Sequence, residues 1–391
     1  MNRYERDKSV ILNTYKRMPI VIDRVEGHEL VDENGVRYLD FFSGIAVNNL
    51  GDDPAVKKAI HDQVDRYMHL SNYFASEPAV QLAELLVANS FADKVFYTNS
   101  GAEAIEAAIK MVRKWGKENG KTTMLSAKGA FHGRTMGALG LTAKPVYQEP
   151  FAPLLSGIAH FEFNNIESIR QMVDEDTAAV FLEMIQGEGG VRPVQQAFMD
   201  EIVKLRQEFG FLLVIDEIQT GLGRTGTLFA HEQYGVEPDL ACTAKALGGG
   251  LPLGGLLVSQ ALTGVWVPGN HGTTFGGNAV AAAGGTALVT KLLEEGFLEE
   301  VNRKSRRIVS GLEELNVEYP GVIQDIRGFG MMIGVDVGEA APQLQQAFLE
   351  RHCLVNTTSG TVLRLIPALN IGDEEIDRFL NVFREILRER A

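Results

Sequence analysis

The stretch FMDEIVKLRQEFGFLLVIDE, residues 198–217, decides the fold. FMDEIVKLRQEF reads as a helix stopped by Gly210, since glycine accepts the left-handed conformation in which helices end. FLLVID then reads as a buried strand that delivers Asp216 and Glu217 at its carboxyl end. The same unit recurs around it. TAAVFLE (177–183) is a strand, and KVFYTN (94–99) is a strand that runs into a Ser100-Gly101 turn. After that turn Ile105, Ala108, Ile109 and Val112 share one face of a long helix. Strands rich in Val, Ile and Leu that alternate with helices predict an α/β protein with a mainly parallel sheet covered on both faces.

Outward from this core the texture changes. EGHELVDENGVRYLDF (26–41) reads as a hairpin turning at Asn34-Gly35. PAVKKAIHDQVDRYM (54–68) reads as a helix with Asp53 as N-cap and Pro54 as first residue. A second helix is expected after Pro78, and two more over roughly 278–295 and 297–315. GVIQDIRGFGMMIGVDV (321–337) reads as a pair of short strands. In 373–390 Ile376, Phe379, Leu380, Phe383 and Leu387 line one helix face, with acids at the start and arginines at the end, as the helix dipole favours. The expected organisation is a large domain over 46–276 and a smaller α+β lobe made from both chain ends, 1–45 and 277–391.

A chain of 391 residues is long enough for two cores. Its net charge of -14 argues against a nucleic-acid or anionic-membrane partner. Cys242 and Cys353 form no disulfide framework or metal pair, and both read as reduced packing residues. The first residues carry no apolar core of signal-peptide length, and no apolar run approaches the roughly 18 residues of a membrane span. A cytoplasmic location is expected.

Three features carry chemistry. Ser100-Gly101-Ala102 opens a helix, where free N–H groups and the positive helix end face an anion; it equally reads as an ordinary cap. Asp216 lies at a strand's carboxyl end, where open parallel sheets take ligands; a cap or a structural ion pair is the plainer alternative. Lys245, in TAKALGGG (243–250), is an amine in apolar, glycine-lined surroundings that favour its neutral, nucleophilic form. An anion-binding helix start, a strand-end acid and a reactive amine are what pyridoxal phosphate requires, the acid keeping the ring nitrogen protonated.

GLGRTG (221–226) also fits the dinucleotide pattern G-x-G-x-x-G, a weak signal alone, and an oxidoreductase built on it leaves Lys245 and Ser100 without roles. FHGRT (131–135) offers a ring-stacking Phe131 and an anion-binding Arg134, while His132 has no second metal ligand at suitable spacing. No metal site is expected. Arg364, inside the apolar TVLRLIP (361–367), calls for an anionic partner.

Taken in order, NTYKRMPIV, YLDFFSGIAVN, TNSGAEA, FHGRT, QGEGG, DEIQTGLGRTG, TAKALGGG, HGTTFGGN, RGFGMMIG and LRLIP resemble the class III, fold type I, pyridoxal-phosphate aminotransferases over nearly the whole chain. The resemblance is strongest to the acetylornithine aminotransferase group, and it makes GLGRTG a loop of that family. It implies that Lys245 is the Schiff-base lysine and Asp216 the pyridinium partner. Phe131 and Ile218 would enclose the ring, Gln219 would lie near its phenolic oxygen, and Ser100, Gly101 and Ala102 would hold the phosphate. Thr274 would reach the phosphate of a partner subunit in a homodimer. Arg364 would bind an α-carboxylate and Arg134 a second one, with Glu188 releasing Arg364 when 2-oxoglutarate enters. Tyr15 joins the implied substrate site.

The implied reaction passes the terminal amine of N-acetylornithine to 2-oxoglutarate, a step of arginine biosynthesis. Succinyl-diaminopimelate, ornithine, 4-aminobutyrate and lysine derivatives remain as alternative donors, and a racemase as a different activity on the same fold. Gly44-Ile45 stands where ornithine aminotransferases carry a bulky tyrosine, which favours an acylated α-amine. The run Gly51-Asp52-Asp53-Pro54, Ile105 and Met184 depart from the family pattern, and with Gly44 the first of these marks the expected donor pocket.

Overall fold

The computed structural model describes residues 3–390. Its centre is a seven-stranded sheet. In chain order the strands are β1 (Lys94–Thr98), β2 (Thr123–Ala127), β3 (Ile158–Phe161), β4 (Thr177–Glu183), β5 (Leu212–Asp216), β6 (Leu240–Thr243) and β7 (Gly254–Val258). They lie side by side as β1-β7-β6-β5-β4-β2-β3. From β6 to β3 every neighbour is parallel, and β7 alone runs antiparallel to both its neighbours.

The two-residue period of β5 explains why this sheet is buried on both sides. Leu212 and Val214 pack into the core under the helix Gly101–Asn119, whereas Leu213 and Ile215 pack with Phe198 and Ile202 of the helix Gln196–Phe209. A strand apolar on both faces is stable only between two helical layers. Gly210 closes Gln196–Phe209 in the left-handed conformation, as its place before the strand implies.

Most expected elements form within a few residues. Asp53 caps Pro54–Arg66, accepting from Ala55 N–H at 2.8 Å and Val56 N–H at 3.1 Å. The next helix spans Glu77–Ala88 and holds Pro78 in its first turn instead of starting after it. That placement is comfortable because the first turn needs no N–H from proline. The expected hairpin is the second half of a three-stranded meander, Ile22–Glu26, Glu29–Asp32 and Arg37–Asp40. Cys353–Leu354 pairs in parallel with its last strand, so both ends of the chain share one sheet. A second sheet joins Asp325–Phe329, Met332–Asp336, Val362–Leu365 and Asn356–Thr358, all antiparallel. Phe379, from the helix Asp373–Arg388, lies between Phe41 and Phe348 in stacked contacts of 4.2 and 5.5 Å.

The helix Ala279–Leu292 packs on the two helices Pro54–Arg66 and Glu77–Ala88, and it also abuts the turn that carries Lys245. Its Gly284 and Gly285 make that approach possible. A Cβ on Gly285 would stand 2.2 Å from the carbonyl oxygen of Leu247, and one on Gly284 2.9 Å from that of Gly248. Gly285→Val should therefore push the Lys245 turn out of place and destabilise the protein by about 1–3 kcal/mol, the usual cost of overpacking. Thermal melting would show the loss, whereas Gly264→Ala, with nothing within 4 Å of its new Cβ, should leave the melting temperature unchanged.

Candidate active site

The chemistry-bearing residues converge because the strand ends do. Asp216 closes β5 in register with Glu183 of β4 and Cys242 of β6. Lys245 follows β6 and Ser100 follows β1, each after one intervening residue, and β7 begins at Gly254 opposite Thr98. All open on one sheet edge, the place where such sheets bind ligands. A Cβ on Gly254 would stand 2.5 Å from the carbonyl oxygen of Ser100, so only glycine lets β7 pass beneath the Ser100 turn.

There the protein encloses a cavity of about 460 Å³. Ser100, Gly101, Ala102, Phe131, Arg134, Glu188, Asp216, Ile218, Gln219 and Lys245 line it, as do Val47, Asn99, His132 and Glu183. Ser100 caps the helix Gly101–Asn119, its Oγ accepting from Glu103 N–H at 3.2 Å. The first residues of that helix, Gly101 and Ala102, line the cavity, and the free N–H groups of a first turn favour an anion there. Lys245 holds a backbone φ of 48°, a left-handed value uncommon for a side chain of its size. Burial and the nearby Arg364 lower its pKa to about 8 against the pull of Glu188, Asp216 and Glu183. A large share of the amine is therefore neutral just above neutral pH.

Asp216 has both oxygens engaged. Ile218 N–H donates to Oδ1 at 3.0 Å, and His132 Nδ1 lies 2.8 Å from Oδ2. Burial disfavours the charged imidazole, but the hydrogen bond and charge of Asp216 outweigh it and raise the His132 pKa. His132 Nδ1–H then donates to Asp216, and Nε2 has no hydrogen-bond partner among the described residues. Glu183 completes the cluster. Burial and the charge of Asp216 raise its pKa to about 7 against the opposing charge of His132 and two backbone donors, Phe131 N–H and Gly187 N–H. Sequence reasoning missed His132 and Glu183 as partners of Asp216. The strand end of TAAVFLE was the available signal for Glu183, and none in the sequence paired His132 with a residue 84 positions away.

Arg364 is 1% exposed and sits behind the cavity wall. Its strand places it between Gly334 and Asn356. Its Nε donates to Asn356 Oδ1 at 2.9 Å, and its Nη1 donates to Glu188 Oε1 at 2.6 Å and Gln219 Oε1 at 2.9 Å. Glu188 consequently stands between Arg364 and the cavity, and pairing with Arg364 outweighs burial to lower its pKa. Arg134 is exposed at the mouth, its guanidinium 3.5 Å above the Tyr147 ring.

Two expected site residues stand apart from this cavity. Thr274 is exposed, in a separate recess of about 90 Å³ with His69 and Tyr97. Tyr15 is 70% exposed, with the Arg17 guanidinium 5.6 Å from its ring centre. The run Gly51–Pro54 also lies elsewhere, Gly51 and Asp53 lining a recess of about 110 Å³ that shares Val47 with the main cavity. Ile105 and Met184 are core residues of the two layers beside the sheet. GLGRTG forms turns, and the buried Arg224 ties them to Asn49 Oδ1 and to the carbonyls of Met331 and Pro367. Both cysteines are buried and free. Among the described residues no group of three or more His, Cys, Asp or Glu is placed to hold a metal.

The donor set suits pyridoxal 5'-phosphate. A helix start, a buried acid and a half-neutral lysine all line the one space that Phe131 and Ile218 also border. The cavity is also of the size usual for such ligands.

Comparison with known proteins agrees. The family model described as aminotransferase class-III matches residues 10–387. The acetylornithine aminotransferase of Clostridium acetobutylicum is 43% identical, covering 97% of this chain and all of that one, and that of Archaeoglobus fulgidus is 42% identical over 98% and 99%. Among solved structures, N-acetylornithine aminotransferase from Stenotrophomonas maltophilia K279a aligns with a TM-score of 0.85 at 36% identity, over 96% of this chain and 97% of that one. Ornithine aminotransferase from Toxoplasma gondii ME49 aligns with a TM-score of 0.94 at 28% identity, over 99% and 94%.

The His132–Asp216 pair has a pH signature. A histidine whose folded pKa is raised adds stability that is complete below its unfolded value of 6.5 and disappears as pH rises through the folded value. His132→Gln keeps a donor and removes the charge. Denaturant unfolding of the two proteins should therefore differ most below pH 6.5 and converge as the pH is raised.

Proposed function

The chain belongs to the class III aminotransferases, which depend on pyridoxal phosphate, and we propose that it transfers the terminal amino group of N-acetylornithine to 2-oxoglutarate. The products are N-acetylglutamate semialdehyde and glutamate. The observation that carries this reading is the convergence of Lys245, Asp216 and the Ser100 turn on one cavity. When bound, pyridoxal phosphate supplies an electrophilic carbon for the amine and a ring that holds the electrons of a broken C–H bond.

The protein's residues do the rest. Gly101 and Ala102 N–H, with Ser100, would hold the phosphate at the helix start. Asp216, hydrogen-bonded to His132, would hold a proton at the ring nitrogen. Phe131 and Ile218 would bracket the ring, and Gln219 would lie near its phenolic oxygen. The Lys245 amine, about half neutral near pH 8, would take the proton from the substrate carbon and return it, a transfer worth typically 10²–10⁴-fold. Arg364 and Arg134 receive the two carboxylates of 2-oxoglutarate. While the amine donor is bound, Glu188 masks Arg364, so a monocarboxylate is held without a second cation inside.

A homodimer in which Thr274 reaches the partner's phosphate belongs to this proposal, and the exposure of Thr274 at a recess of its own supports it. The lobe formed by 1–45 and 277–391 and a cytoplasmic location belong to it as well. Among the described residues no helix is long and apolar enough to cross a membrane.

The closer backbone fit to an ornithine aminotransferase does not favour ornithine as donor. The TM-score measures the course of the chain, whereas donor choice rests on a few side chains, and identity is higher to the acetylornithine enzymes. Ser43, Gly44, Ile45 and Ala46 all have positive φ, between 44° and 62°. This left-handed turn of small and apolar residues leads to Val47 on the cavity wall.

A donor panel with 2-oxoglutarate as acceptor should give kcat/KM at least about tenfold higher for N-acetylornithine than for ornithine, 4-aminobutyrate or succinyl-diaminopimelate, the discrimination one altered pocket contact supplies. Equal or better turnover of ornithine would overturn the assignment. Lys245 can be tested apart from turnover. Covalent capture of pyridoxal phosphate by the cofactor-free protein, fixed with borohydride and weighed by mass spectrometry, should accelerate as pH rises through about 8 and then level off. Lys245→Ala should show no capture at that site and no transamination.

A further inference from the structure

When a substrate carboxylate takes Arg364, Glu188 loses its guanidinium. Its side chain is 29% exposed, so water solvates it only in part, and an unpaired carboxylate there is strongly disfavoured. A cavity that alternates between a masked and an open Arg364 needs a second cation within reach of Glu188.

Lys144 is placed to be that cation. Its Nζ donates to the backbone carbonyl of Glu188 itself at 2.7 Å. An ammonium has three donors, and among the described residues this is the one hydrogen bond Nζ makes. Burial lowers its pKa, and of the charges acting on it Glu188 is foremost, followed by Glu183, Arg364 and Arg134. Reciprocally, Glu188 feels Lys245 and then Lys144 after Arg364, and of these two lysines Lys245 is the one that lines the cavity and is taken up by the reaction itself. The backbone on either side of Glu188 is held by Thr358, which donates to the carbonyl of Gly187, and by Arg327, which donates to that of Gly190, so a change of partner falls to the Glu188 side chain. Glu188 stands between Gly187 and Gly189, and Gly190 has a φ of 98°. Lys144 does not line the cavity, so it has no direct contact to offer the substrate.

We propose that Lys144 is a positioning residue of the acceptor half-reaction, receiving the Glu188 carboxylate when 2-oxoglutarate claims Arg364. The proposal rests on the reading of Glu188 as a mask over Arg364. Lys144 thereby helps one cavity accept first a monocarboxylate amine donor and then a dicarboxylate. In the donor half-reaction Glu188 stays on Arg364, and Lys144 has no charge to receive.

Glutarate, a dicarboxylate with no group to react, separates binding from chemistry. Its affinity for the cofactor-loaded enzyme can be measured by titration calorimetry in four proteins: wild type, Lys144→Gln, Glu188→Gln and the double variant. Lys144→Gln keeps an N–H for the Glu188 carbonyl but removes the charge, and Lys144→Met serves as a second variant should the first misfold. Lys144→Gln should weaken glutarate on the order of tenfold in the wild-type background and less than about twofold in the Glu188→Gln background, as for two residues that act on one another. KM for 2-oxoglutarate should rise with the glutarate constant while KM for the amine donor stays put, and Lys144→Arg should restore both. An equal loss of glutarate affinity in both backgrounds would refute the proposal and leave the mask standing, since Lys144 would then act on the dianion without Glu188. If Glu188→Gln fails to tighten glutarate, the mask itself is wrong and the role of Lys144 falls with it.

Discussion

A buried carboxylate pinned to a buried histidine is the constraint around which this protein is arranged. Asp216 is 4% exposed, and the parallel register of β4 and β5 sets Glu183 directly beside it. Two carboxylates in one buried row do not both remain charged without help. His132 resolves the conflict by giving its proton-bearing Nδ1 to Asp216, while Glu183, with a pKa near 7, absorbs the remaining imbalance. Removing one partner from such a buried set typically costs about 3–5 kcal/mol. The cost of assembling the set is met by the apolar layers on both sides of β5, which hold the strand ends in place without regard to charge.

Backbone strain gathers at the same edge. Lys245 sits at a φ of 48°, and the run Ser43–Ala46 is left-handed throughout, although each such non-glycine residue costs about 1–2 kcal/mol. Both segments are clamped by packing. Gly284 and Gly285 press the helix Ala279–Leu292 onto the Lys245 turn, and Ile45 lies against the cluster of Ile185, Val191, Met332, Val362 and Ile366. Well-packed surroundings let a few residues hold conformations they would not choose alone. The lysine is thus aimed by the fold, and its lowered pKa follows from where it is aimed.

What the sequence reveals and hides follows from range. Lys245, Asp216 and Ser100 were legible because each announces itself locally, as an amine among glycines, an acid at a strand end and a cap before a helix. The alternation of strands and helices made the central sheet legible for the same reason. His132 was not, since its partner lies 84 residues on and nothing near FHGRT hints at it. Arg224 sat inside a motif whose pattern suggested a phosphate loop, yet it is a buried tie between Asn49 and two distant carbonyls. Gly51–Pro54 looked like part of the donor pocket because it departs from the family pattern. In the structure its Asp53 caps a helix and its Gly51 packs by Gly27 and His28, so the departure is one of chain geometry.

Similarity of backbone and similarity of sequence point to different relatives, and the geometry of the cavity explains how both can hold. The chain overlays an ornithine aminotransferase with a TM-score of 0.94 although only 28% of residues agree, while acetylornithine enzymes share up to 43%. The parts that make a transaminase, namely the row of strand ends, the helix start and the lysine turn, are fixed by the sheet and survive wide change elsewhere. The parts proposed to choose a substrate are of another kind. Glu188 is carried between glycines, Arg134 is exposed at the mouth, and Val47 is reached through a strained turn. None of these is held by the central sheet, so each can alter without disturbing the Asp216 row. Chemistry is conserved by the rigid elements, and specificity is free to drift on the loops that border them.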